Sequence, residues 1–303
     1  MNDRIRDTTS LQRYVLGTAG LGGVWGPVDP EASVNSILYA LERGIPAIDT
    51  APAYGDGEAF VGRALRQWKG ASPMVSTKTG RLKSYASDNG IYNYTPDGMA
   101  RSVDHSLRML GLSKVDVLFL HEPAAIPDKE IEPAVLKMMA LKQEGCTSQI
   151  GLGGNYPASF LPYLDAGIFD VVMEYNRLNA CCIDALDTSL PGCSRRNIAY
   201  WAASPLHMGL LGGRFESFTR NRPQWLQQKC LDTASGVNKL AIEKQLSLPS
   251  LALRFLQNIP WPFRMVIGPA NWQELSESLE AILDGPLENA IYNEIIGYIK
   301  EQH

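Results

Sequence analysis

Short apolar segments and amphipathic helical segments alternate eight times along this chain, and that alternation restricts the fold more than any other feature. The strand segments are Tyr14-Val15-Leu16, the run ending at Asp49, Met74 to Lys78, Val115 to His121, Ile150 to Gly153, Asp170 to Tyr175, Ile198 to Ala203 and Met265-Val266-Ile267. They are short, continuous and apolar, as expected of strands covered on both faces. Helical periodicity fills the intervals at Asp29 to Arg43, Glu58 to Trp68, Pro96 to Leu110, Glu130 to Glu144, Ser159 to Ala166, Asp184 to Arg196, Asn238 to Lys244, Pro249 to Gln257 and Asn271 to Asp284. Capping residues precede proline at Asp29-Pro30 and Thr95-Pro96, and Gly44, Gly111 and Gly145 close three helices.

No block consists of strands alone, which argues for a parallel sheet. Eight units argue for closure into a single-domain (β/α)8 TIM barrel spanning 1–303. The competing arrangement is an open Rossmann sheet. The glycine-rich run Gly17 to Gly23 does not support it, because Trp25 stands where the third glycine of G-x-G-x-x-G belongs. Residues 1–13 are too polar for a barrel strand and read as an N-terminal arm or hairpin that plugs the barrel floor; 286–303 reads as a C-terminal tail helix.

A net charge of −4 with no long basic block argues against nucleic acid or an anionic membrane as partner. No apolar run reaches membrane-span length, and the N-terminus has no apolar signal region, so a cytoplasmic location is expected. Cys146, Cys181, Cys182, Cys193 and Cys230 form neither a CxxC pair nor a zinc spacing. Reduced thiols and no metal are expected, and Cys181-Cys182 is assigned no redox role because it lacks a partner at a recognised spacing.

Chemistry is concentrated at strand ends. In a parallel barrel every strand opens on the same face, where active sites lie. Asp49, Lys78 and His121 end three consecutive strands, and Tyr54 hangs on the loop after Asp49. Singly, each has a bland reading: a helix cap, a solvated amine, a hydrogen-bonded core histidine. Together they are the parts needed to move a proton to or from a carbonyl oxygen. At roughly 4 Å and an effective dielectric of ~20, the lysine charge is worth about 4 kcal/mol in favour of the phenolate, before desolvation is subtracted. Asp49 would hold Lys78 charged and aimed, and His121 would hydrogen-bond the substrate oxygen. Hydride must be carried by a cofactor, since no side chain can carry it.

The segments Asp49-Thr50-Ala51-Pro52-Ala53-Tyr54-Gly55 with Glu58 and Gly62, Ser76-Thr77-Lys78, and Leu120-His121-Glu122-Pro123 resemble the aldo-keto reductase superfamily over roughly residues 11 to 285. The resemblance implies a nicotinamide cofactor bound extended without a Rossmann fold, and Asp49, Tyr54, Lys78 and His121 as the catalytic tetrad. It places the cofactor against Gly17, Thr18, Asn155, Ser204, Leu206, Met208, Gly209, Gly268 and Asn271. Three positions depart from the family pattern: Gly154 for a serine, Val172 for a glutamine, and Ala203 for the aromatic that stacks on the nicotinamide.

Thr18 to Val28 and Ala202 to Leu211 are similar to the branch that contains L-galactose dehydrogenase and the D-threo-aldose dehydrogenases. That branch implies oxidation of a free aldose at its anomeric hydroxyl to a lactone. Asn271 occupies the position of an arginine that pairs with the 2′-phosphate in NADP-using relatives, so NAD is the expected cofactor, with NADP as the alternative. The substrate is a small molecule, expected among Trp25, Tyr54, Tyr85, Tyr92 and Trp201. The chain reads as a monomer or small homo-oligomer. The alternatives are an NADPH-dependent reductase of aldehydes or ketones, pyridoxal-like ones included, and a non-catalytic cofactor-sensing subunit.

Overall fold

Eight strands follow one another around a closed barrel: β1 (Tyr14–Gly17), β2 (Ala47–Asp49), β3 (Met74–Thr79), β4 (Val115–His121), β5 (Thr147–Gly153), β6 (Val171–Tyr175), β7 (Ala199–Ala203) and β8 (Arg264–Ile267). Every neighbouring pair is parallel, and Val15 beside Val266 closes the ring between β1 and β8. The computed structural model describes residues 8–86 and 89–302. Around the barrel stand α1 (Pro30–Glu42), α2 (Gly57–Gln67), α3 (Pro96–Leu110), α4 (Asp128–Gln143), α5 (Leu161–Asp165), α6 (Ser189–Arg195), α7 (Phe215–Arg220), α8 (Gln228–Glu243), α9 (Leu248–Gln257), α10 (Trp272–Leu283) and α11 (Asn289–Glu301). This is the (β/α)8 barrel that the alternation implies.

Local chemistry sets the helix ends. The Asp29 carboxylate accepts from the Ala32 N–H at 2.7 Å, with Pro30 opening α1. The Thr95 hydroxyl accepts from the Gly98 N–H at 3.2 Å, and α3 ends on Gly111 at φ 71°, a left-handed conformation that glycine adopts without cost.

Two cores result from strand alternation. Val15, Ala47, Val117, Phe119, Val171, Met173, Trp201 and Val266 fill the barrel lumen. The intervening residues, Leu16, Ile48, Leu118, Leu120 and Val172 among them, pack outward against the helices. Since side chains alternate with period two, Asp49 shares the lumen side with Ala47, and His121 shares it with Val117 and Phe119. Met74 packs on the lumen core, so Lys78 points inward as well. The register steps these positions up the barrel: Asp49 lies beside Ser76, Lys78 beside Phe119, and His121 beside Gly153.

Several boundaries differ from the sequence reading. Residues 8–13, read as part of an arm or hairpin, form a 3₁₀ turn that buries Leu11; residues 1–7 lie outside the described residues. The segment read as one helix from Asp184 to Arg196 divides into a 3₁₀ turn, Asp184–Leu186, and α6. Pro191 falls in the first turn of α6, where its missing N–H is of no consequence. Helix α8 starts at Gln228, well before Asn238. Gly236 interrupts its pattern, and a Cβ there would meet the Tyr298 ring of α11 at 3.2 Å. Helix α7 has no counterpart in the sequence reading.

Candidate active site

The C-terminal rim of β2, β3 and β4 brings an acid, an amine and an imidazole together. Lys78 Nζ lies 2.7 and 2.6 Å from the two Asp49 oxygens and 2.9 Å from the Thr50 carbonyl, with its charge beside Tyr54. An ammonium has three N–H donors and no acceptor. The two Asp49 oxygens and the Thr50 carbonyl therefore engage all three. Ser76 donates to Asp49 Oδ1 at 2.7 Å, fixing the carboxylate from the neighbouring strand.

Tyr54 is placed by two backbones in close contact. A Cβ on Gly22 would lie 2.0 Å from the Tyr54 carbonyl oxygen, and one on Gly55, at φ 55°, would lie 2.1 Å from the Gly22 carbonyl oxygen. The Asp56 N–H donates to that Gly22 oxygen at 3.0 Å. The glycines after β1 thus serve the tyrosine loop: only residues without side chains let the two segments meet. The Tyr54 ring lies under the Lys78 charge at 4.6 Å and edge-on to the His121 ring at 5.8 Å, with an interplanar angle of 88°. Phe119 supports Lys78 from below. Gly151 makes room for it, since a Cβ there would be 2.7 Å from the Phe119 ring.

Burial decides the electrostatics. Loss of solvent raises the Tyr54 phenol; Lys78 lowers it, and Asp49 raises it again. The net result is a raised phenol. The lysine charge alone favours the phenolate, but desolvation outweighs it, so the phenol is raised rather than lowered. Burial opposes the Lys78 charge, but Asp49 and Tyr54 outweigh it and the amine is raised. His121 is lowered well below the ordinary histidine value, by burial first and then by Lys78 and Arg81. It is a neutral imidazole at physiological pH, with Nδ1 buried and without a hydrogen-bond partner.

Beside these groups lies a cavity of about 610 Å³. Tyr54, Lys78, His121, Trp25, Asn155, Ser204 and Met208 line it; Tyr85, Tyr92, Trp201, Gly17, Thr18, Leu206 and Gly209 do not. Trp201 is part of the lumen core. Tyr85 is exposed over the Gly55 turn and donates to Asp56 at 3.0 Å. Tyr92 acts one step back, donating to Glu122 Oε2 at 2.6 Å while Arg81 holds Glu122 Oε1 at 2.5 Å. Thr18 donates its hydroxyl to the Asp49 carbonyl at 3.0 Å, and a Cβ on Gly17 would meet Val266 at 3.0 Å, so both shape the support of β2. Leu206 packs on the outer core, and Gly209 abuts the Arg214 side chain. Gly268 is exposed at the end of β8, and Asn271 lines a second cavity of about 310 Å³. Trp25 borders both cavities.

The departures from the family pattern also take new positions. Val172 faces the helices, and the residues of β6 that reach the cavity are Met173, one place on, and Tyr175. Gly154 and Ala203 do line the cavity. Four further residues take up their roles only in the structure. Buried Arg81 and half-buried Glu122 form an ion pair in the cavity wall. Asn176 Oδ1 is buried there without a hydrogen-bond partner. Glu274 forms a reciprocal cap with Asn271: Asn271 Oδ1 accepts from the Glu274 N–H at 2.9 Å, and Glu274 Oε2 accepts from the Ala270 N–H at 2.8 Å. The N-x-x-E spacing was a legible signal for that cap; nothing in the local sequence marked Arg81.

Among the described residues no cluster of metal-ligating side chains is present, and no helix is long and apolar enough to cross a membrane. Residues 13–297 match the sequence profile described as the Aldo/keto reductase family. The chain is 28% identical over 297 residues to the NADH-specific methylglyoxal reductase of Escherichia coli, covering 90% of each. It is 27% identical over 281 residues to L-galactose dehydrogenase of Arabidopsis thaliana, covering 89% of this chain and 83% of that one. The solved structure of a glycerol dehydrogenase from Gluconobacter oxydans superposes with a TM-score of 0.75 at 24% identity, over 96% of this chain and 92% of that one.

Proposed function

The chain belongs to the aldo/keto reductase family, and on that premise we propose that this NAD(P)-dependent oxidoreductase oxidises a free aldose at its anomeric hydroxyl to a lactone, with NAD as hydride acceptor. The observation that carries the reading is the buried Tyr54 ring 4.6 Å from a Lys78 ammonium that Asp49 grips with both oxygens.

The residues present fit a nicotinamide dinucleotide. Asn176 Oδ1 is a buried acceptor without a partner, and the Asn155 oxygen accepts from the Tyr175 N–H at 3.3 Å, leaving its NH₂ as the donating end. These two amides would hold a carboxamide, with Ser204 and Met208 beside them. The cavity shared at Trp25 with that of Asn271 and Trp272 offers room for the adenosine half. A bound nicotinamide supplies the hydride acceptor or donor, which the side chains cannot be.

Tyr54 exchanges the proton. In the oxidative direction it takes the proton of the substrate hydroxyl; in the reductive direction its O–H proton goes to the carbonyl oxygen. Lys78 compensates the phenolate charge, and Asp49 keeps Lys78 charged and aimed. Neutral His121 shares the substrate oxygen by hydrogen bonding and fixes its position. The polar wall formed by Arg81, Glu122 and Asn155 suits a polyhydroxylated substrate.

The preference for NAD rests on Glu274. A helix N-terminus attracts anions because its N–H groups point outward. Here the Glu274 carboxylate occupies the Ala270 N–H and adds a negative charge where a 2′-phosphate would need a positive one. Reduction of a small oxoaldehyde with NADH is the second reading, favoured by the likeness to the methylglyoxal reductase. Steady-state rates with a panel of free aldoses and NAD or NADP, set beside methylglyoxal with NADH or NADPH, decide between them. Rapid methylglyoxal reduction without aldose oxidation would overturn the first reading. A preference for NADP would overturn the cofactor assignment.

A further inference from the structure

The segments that follow β3 grip the end of β4 at four points, two carbonyls and two carboxylate oxygens. The Tyr94 hydroxyl lies 2.9 Å from the His121 carbonyl oxygen and 3.0 Å from the Glu122 carbonyl oxygen. A phenol has one proton to donate, so a single hydroxyl serves both carbonyls in a three-centre bond. Tyr92 donates to Glu122 Oε2 at 2.6 Å, and Arg81 donates to Oε1 at 2.5 Å. The gripping segments are tied to each other: the Leu82 N–H donates to the Ile91 carbonyl and the Asn93 N–H to the Gly80 carbonyl, both at 2.7 Å.

The Tyr94 contact needs unusual backbone on both sides. Glu122 sits at φ 50°, a left-handed conformation that costs about 1–3 kcal/mol for a residue with a side chain. The chain leaves the strand conformation there, and its carbonyl and that of His121 converge on one hydroxyl. Gly80, at φ 104°, clears the space for the ring, since a Cβ there would lie 2.3 Å from it. The Tyr92 ring stacks on Tyr94 at 5.8 Å, with 16° between the planes. Tyr94 is buried and does not line the cavity, so it does not meet the substrate.

His121 depends on that contact because no hydrogen bond holds its ring at Nδ1. The groups that face the ring are Tyr54, edge-on at 5.8 Å, and the Lys78 and Arg81 cations, which have no acceptor to offer it. The place of the imidazole therefore follows from the backbone that carries it. That backbone is tied to β5, where the Glu122 N–H donates to the Gly153 carbonyl at 2.8 Å, and to the Tyr94 hydroxyl.

We propose that Tyr94 is a positioning residue of the reaction: its hydroxyl locks the His121–Glu122 backbone so that the imidazole holds the substrate oxygen against Tyr54. This role rests on the one given to His121 in the proposed reaction. Tyr94 acts through His121 and touches neither substrate nor cofactor.

Tyr94→Phe keeps the ring and its stack and removes one hydroxyl. Turnover of a substrate from the panel above should fall about 10–100-fold, with cofactor affinity near normal. The readout that a mere loop anchor would not move is the His121 Cε1 proton resonance in protein carrying isotope-labelled histidine. It is one of four histidine signals and is assigned by its loss in His121→Gln. Burial and the two cations keep the wild-type ring neutral, so its signal should stay fixed from about pH 8 to about pH 5.5. In Tyr94→Phe the loosened ring gains water, and the signal should titrate within that range. Tyr92→Phe removes a phenol from the same stack, one that bonds the carboxylate and not the backbone, and should leave the signal fixed. Gly80→Ala keeps every polar group but drives a methyl into the Tyr94 ring. It should reproduce the Tyr94→Phe titration, and it decides the matter if Tyr94→Phe does not fold. A fixed His121 signal in Tyr94→Phe and Gly80→Ala, or the same movement in Tyr92→Phe, would overturn the proposal. The resonance is read without turnover, so failure of the aldose reading and failure of this one are told apart.

Discussion

The Lys78 ammonium lies 2.6 and 2.7 Å from the two oxygens of Asp49, and neither side chain is more than 2% exposed. Two opposite charges this deep are stable only as a pair, because each loses its water and regains it only in the partner. The pair is also the support on which Tyr54 rests.

Lys78→Met is expected to abolish turnover and to destabilise the fold. It removes the charge beside Tyr54 and leaves the Asp49 charge buried alone, a loss of roughly 3–5 kcal/mol. Urea unfolding monitored by circular dichroism checks it. A variant as stable as the wild type, or one that retains activity, contradicts the account of the pair.

Tyr54→Phe is expected to cost at least about 10²–10⁴ in turnover while leaving cofactor affinity near normal. Binding is read from quenching of tryptophan fluorescence. The cofactor-free wild type minus this variant should show no phenolate absorbance at about pH 9, because burial holds the phenol above its ordinary value near 10. A phenolate band already present there would mean that the lysine charge outweighs desolvation.

His121 makes stability fall in acid. Its folded-state value is depressed, so the unfolded chain binds a proton that the folded chain refuses. Stability from this source is complete above the unfolded value of about 6.5 and is lost as pH falls below it. Thermal unfolding of His121→Gln should therefore lose less stability than the wild type between about pH 7.5 and about pH 5. Equal losses would rule out a buried neutral imidazole.

Asn271→Arg combined with Glu274→Ala should move cofactor preference toward NADP. The double variant removes a carboxylate from the Ala270 N–H and supplies a guanidinium suited to phosphate. A gain of about 1.4 kcal/mol corresponds to a tenfold change in the kcat/KM ratio for the two cofactors. An unchanged ratio would place the cofactor's adenosine half elsewhere.

The architecture was legible because its signals are local. Apolar runs, helix caps such as Asp29 and Thr95, and the terminator Gly111 act within one turn or one strand, and the structure places them as read. Helix α8 was less legible because Gly236 weakens the pattern of a helix whose place is set by Tyr298 on α11. Tyr85 and Tyr92 looked like pocket aromatics, but what places them outside the cavity is their bonding to Asp56 and Glu122.

What the sequence determined by itself was the alternation that builds the barrel and the strand parity that points Asp49, Lys78 and His121 into one lumen, since both follow from backbone geometry within a few residues. Only the tertiary structure decided the proton affinity of Tyr54, the close approach of Gly22 to the Tyr54 loop, and the pairing of Arg81 with Glu122 in the cavity wall. Desolvation, close approach and charge pairing depend on atoms distant along the chain, and they take their values only once the barrel has closed around them.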